Sequence, residues 1–111
     1  MTLSELIAYA DAVKPNAFDA ATKTVWVNEV EGMVQTDVML LASEDVIAYT
    51  AADTDTELLA APPHDKLYRS YLCAMIDFNH GEYDRYNNSM TLFNTQYSEY
   101  MEWYTRVIHG R

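Results

Sequence analysis

Between Tyr83 and Val107 the large side chains recur without a break. Tyr83, Tyr86, Met90, Phe93, Tyr97, Tyr100, Tyr104 and Val107 are spaced alternately three and four residues apart. This is an a/d heptad stripe on a helix of about 38 Å. The other face, from Asp84 through Asn87, Asn88, Thr91, Thr95, Ser98 and Glu102 to Thr105, is polar. A helix of this kind must lay one side against something else. In a chain of 111 residues that requirement dictates most of the architecture.

Periodicity supplies the partners. Thr2 precedes Glu5 at capping-box spacing, and Leu3, Leu6, Ile7, Ala10 and Val13 follow at helical intervals. Lys14-Pro15-Asn16 ends this first helix, because the residue before a proline is pushed out of the helical region. A second helix is expected from near Asp19 to about Leu41, with Val27, Val30, Val34, Val38 and Leu41 as its stripe, widened by Trp26, Met33 and Leu40. Gly32 lies inside it, where glycine costs roughly 1 kcal/mol against alanine, so a close helix contact is expected there. After Pro62-Pro63 a third helix starts around His64-Asp65 and carries Leu67, Tyr68, Tyr71, Leu72, Met75, Ile76 and Phe78. Gly81 is placed to close it in the left-handed conformation. The short link that follows makes the third and fourth helices antiparallel neighbours. Residues 42–61 have no helical period, and a short β-hairpin or an extended loop is expected. The fold class is therefore mainly α: a single domain, 1–111, built as a small bundle of four helices with a long C-terminal helix.

Charge narrows the function classes. Seventeen acids against seven bases give a net charge of −10, and there is no basic run to displace counterions from nucleic acid. No segment reaches the eighteen apolar residues of a membrane span, and the first residues do not read as a signal peptide. Cys73 is alone in an apolar run, which suits a buried, inert thiol in a reducing cytoplasm. Asp53, Asp55 and Glu57 alternate but lack the glycine and distal glutamate of a calcium loop. His64, His80 and His109 show no zinc spacing and fall near helix ends. No catalytic residue, cofactor site or metal site is expected.

The nine tyrosines and two tryptophans point instead to contact surfaces. The first helix is about three turns long and is too short to cover the last helix along its full length. The end carrying Tyr97, Tyr100, Trp103, Tyr104 and Val107 is accordingly the expected interface with another chain.

From Pro62-Pro63, through Leu67-Tyr68, Tyr71-Leu72 and Met75-Ile76-Asp77, to Gly81-Glu82-Tyr83-Asp84-Arg85-Tyr86-Asn87-Asn88-Ser89-Met90, Phe93-Asn94, Tyr97, Tyr100 and Trp103-Tyr104, the chain resembles the head–tail connector (adaptor) proteins of long-tailed phages and prophages. Leu6-Ile7-Ala8-Tyr9-Ala10, Lys14-Pro15-Asn16, Trp26 and Glu29-Val30-Glu31-Gly32 are similar as well. The resemblance implies a helical subunit that forms a homo-oligomeric ring and docks under the portal protein and against head-closure or tail proteins. Double-stranded DNA would pass through the channel unread, with no membrane and no catalysis involved. It implies host cytoplasm during assembly and the virion head–tail junction afterwards. Another phage tail-completion protein, or a small acidic cytoplasmic regulator that binds proteins, is the alternative.

Overall fold

The computed structural model describes residues 1–110 and is mainly helical. Four helices, α1 (Leu3–Val13), α2 (Ala20–Met33), α3 (Lys66–Asn79) and α4 (Tyr83–Tyr104), make the domain. Its accessible surface is 6235 Å², close to the roughly 6,200 Å² that scaling gives for a folded chain of this mass.

The local signals are realised in hydrogen bonds. The Thr2 hydroxyl accepts from the Glu5 amide at 3.2 Å, and the Glu5 carboxylate accepts from the Thr2 amide at 3.0 Å. Asp19 caps α2 by accepting from the Thr22 amide at 2.8 Å. Gly81 has φ 75°; the Glu82 and Gly81 amides donate back to Asp77 and Phe78 at 2.9 and 3.1 Å. That pairing satisfies carbonyls otherwise orphaned at the end of α3 and sends α4 back antiparallel along it.

α3 and α4 form the main packed pair, and α1 and α2 lie against α3. Leu6, Ala10, Val27, Val30, Leu67, Tyr68, Leu72 and Ile76 have no more than 1 % exposure and fill the space between these helices. Lys23, itself buried, reaches the Asp11 carboxylate and pins α2 to the end of α1. Lys14 pairs with the buried Asp77 of α3 at 3.1 Å.

Two expectations are corrected by the structure. α2 does not run to Leu41; after Met33 it widens into a π turn, Val34–Val38. Leu40 then takes φ 62° and reverses the chain, so Leu40 and Leu41 leave the apolar stripe and are exposed. Gly32 marks no close contact, since a Cβ built there would meet nothing within 4 Å. Between 42 and 61 the chain takes the second of its two expected forms, an extended loop with one 3₁₀ turn, Ser43–Asp45. Its last part pairs with the start of the chain: Leu3 donates to Thr56 and Leu58 to Met1, each at 3.0 Å.

Candidate functional site

The polar side chains of α2 explain how a loop without a facing strand is held. Asn28, Glu31 and Gln35 stand three and four residues apart and so share one side of the helix. Asn28 accepts from the Tyr49 amide at 2.8 Å and donates to the Tyr49 carbonyl at 2.9 Å. Gln35 does the same with Ile47, at 2.9 Å in both directions. Each carboxamide thus substitutes for the neighbouring strand of a sheet.

Between them Glu31 is fully buried. It accepts from the Tyr49 hydroxyl at 2.7 Å, from the Leu59 amide at 3.0 Å and from the Tyr68 hydroxyl. The Tyr68 oxygen accepts in turn from the Ala60 amide at 2.8 Å. Burial, and then the Glu31 charge, hold the Tyr68 phenol far above its ordinary range, and burial followed by the hydrogen bond to Glu31 raises Tyr49. Three donors satisfy the carboxylate, which removes the penalty an unpaired buried acid carries. With 0 % exposure it has no route to a substrate and serves to fasten the loop to α2 and α3.

The aromatic side chains of α4 pack on the same core. Phe93 and Tyr100 are buried, Tyr97, Trp103, Tyr104 and Val107 are half-buried, and Tyr83 is exposed. Tyr100, expected to need another chain for cover, is at 2 % exposure already covered by this one. The reason is topological. Because α3 runs antiparallel to α4, the turn that precedes α3 sits on the end of α4. The His64 ring lies 5.4 Å from Tyr100 and 5.0 Å from Trp103. α4 itself continues as a π turn, Thr105–His109. There His109 Nε2 lies 2.7 Å from the Val38 carbonyl, and its ring meets Tyr104 edge-on.

Burial pushes Tyr97 and Tyr100 up to about 12, and the buried Tyr97 hydroxyl finds no partner among the described residues. Beside this end, Ser98, Met101, Glu102, Thr105 and Arg106 line an open groove of about 450 Å³. Cys73 is buried, and burial raises its thiol. Asp53 accepts from the Thr50 amide at 2.7 Å and closes a loop turn. His80 caps the end of α3. Among the described residues no three His, Cys, Asp or Glu side chains converge on one point, and no helix is long and apolar enough to cross a membrane.

No family model matches the chain, and neither does any curated protein or solved structure.

Sequence reasoning passed over Asn28, Glu31 and Gln35, although one signal was present. Glu31 falls in the row Val27, Glu31, Val34, Val38, an acid in the middle of an apolar face.

Proposed function

We propose that the chain is a structural subunit that assembles into a ring at the head–tail junction of a phage or prophage, below the portal, and continues the DNA channel toward the tail. The observation that carries the reading is the half-covered end of α4. Trp103, Tyr104 and Val107 are each half-buried next to the groove walled by Met101. A helix with aromatic and aliphatic side chains left partly open supports assembly with further chains, since tryptophan and tyrosine dominate protein contacts. The resemblance falls mainly on α3 and α4, with shorter stretches in α1 and α2, and the net charge of −10 suits a channel through which DNA slides without being held.

Light scattering of the purified protein together with negative-stain electron microscopy tests the assembly. The expected result is a ring of many subunits with an open centre. A monomer at every concentration, with no binding to a portal, overturns the reading.

One substitution addresses the surface itself. Trp103→Ala removes a half-buried side chain, and its expected cost to the subunit is about 1–2 kcal/mol, below the roughly 3–5 kcal/mol of a fully buried aromatic. Helicity should persist while ring formation fails. A collapse of the melting temperature with association unchanged in the remaining folded protein would assign Trp103 to the subunit's own packing.

A further inference from the structure

Arg69, on α3, is half-buried and lies over the Tyr9 ring of α1, with its guanidinium carbon 5.0 Å from the ring centroid. Its Nε is buried and has no acceptor among the described residues. It takes part in none of the ion pairs among the described residues. The acids that border the cleft on one side of it are each engaged elsewhere. Glu57 and Asp65 hold the Met1 ammonium at 3.0 and 3.6 Å, and Glu5 accepts from the Thr2 amide.

On the other side Arg69 opens into a second cleft, between α1, α3 and α4. Lys14, Ser70 and Ser89 supply polar groups to its wall, and no carboxylate among the described residues lines it. Lys14 is already committed to Asp77, and Arg69 is in no ion pair among the described residues, so its charge is the one this cleft has left to offer. Leu92 forms the lip of this cleft and is 52 % exposed. The two terminal nitrogens of a guanidinium fork match a carboxylate with two parallel hydrogen bonds, a grip that does not need the sealed Nε. Leu92 and the Tyr9 ring give the cleft apolar walls on which a contact can shed water.

Size and charge select the occupant. The cleft holds about 200 Å³, less than the roughly 300–1,000 Å³ typical of pockets for whole small molecules, and enough for the end of one side chain. A chain with seventeen acids and seven bases offers many carboxylates to a cationic cleft on its neighbour. We propose that the Arg69 cleft receives an aspartate or glutamate side chain from a second copy of this chain. This inference rests on the ring reading given above.

The test compares the parent protein with Arg69→Met, which keeps the stem against Tyr9 and removes the fork, and with Ser89→Glu, which sets a carboxylate on the cleft wall. Sedimentation measures association, and circular dichroism confirms the fold of each. Both variants are expected to remain helical and to associate at least tenfold more weakly. Because Ser89 is half-exposed, the second variant tests the cleft even if Arg69→Met fails to fold. A parent that forms rings, with variants that associate as tightly, overturns this inference and leaves the ring standing. A parent that stays monomeric overturns the ring reading, and this inference with it.

Discussion

Glu31→Ala is expected to lower the stability of the subunit by about 3–5 kcal/mol, since it strands three donors at once and each buried unsatisfied group costs roughly 1–3 kcal/mol. The Tyr49 and Tyr68 hydroxyls and the Leu59 amide all end on this carboxylate. A domain with a total stability of about 5–15 kcal/mol would be left marginal. Glu31→Gln should cost less. Its carboxamide keeps one acceptor, and a phenol can accept from the new NH₂, whereas the Leu59 amide cannot. Urea unfolding followed by circular dichroism measures both variants. If Glu31→Ala shifts the midpoint no more than an average surface substitution, the carboxylate does not carry the attachment of the loop.

Alkaline pH is the second large lever. Tyr68, Tyr71 and Tyr100 are all buried, and burial raises each above the ordinary value of 10.0. In the unfolded chain these phenols ionise near pH 10, while in the folded chain they keep their protons. The folded state therefore binds more protons in this range, and stability must fall as pH rises. The contribution is fully present below pH 10 and is lost between pH 10 and the folded values, about 12 for Tyr100. Each such group costs about 1.4 kcal/mol per pH unit, so three together remove about 4 kcal/mol per unit. The expected result is a steep alkaline unfolding between about pH 10 and 12, with tyrosinate absorbance and loss of helicity changing together. Gradual ionisation near pH 10 with full helicity would show these phenols to be open to water.

Much of the helical framework was legible because its causes are local. The Thr2–Glu5 box, the Asp19 cap and the Gly81 stop each act within a few residues, and the stripe from Tyr83 fixes α4 by period as far as Tyr104, where the backbone widens into the π turn Thr105–His109. The path of residues 42–61 was not legible, because its partners are remote. Ile47 finds Gln35 twelve positions away, Tyr49 finds Asn28 at twenty-one, and Leu59 finds Glu31 at twenty-eight. No local pattern encodes such pairs. The cover over Tyr100 was missed for a related reason. Helix lengths suggested a shortage of covering surface, whereas the turn at His64 supplies it. The end of α2 was misplaced because valine spacing continued past Met33 while the backbone widened at Val34.

The way Asn28 and Gln35 hold their loop has a consequence for how this molecule can change. Both carboxamides grip the main chain of Tyr49 and Ile47 and ignore the Ile47 side chain, which projects outward at 69 % exposure. Any residue other than proline presents the same amide and carbonyl at that position. The outward-facing loop positions are thus free to be rewritten, in size, charge or polarity, while three side chains on one helix keep the segment berthed in the same place. Such a loop can meet new partners by substitution alone, without any alteration to the scaffold that carries it.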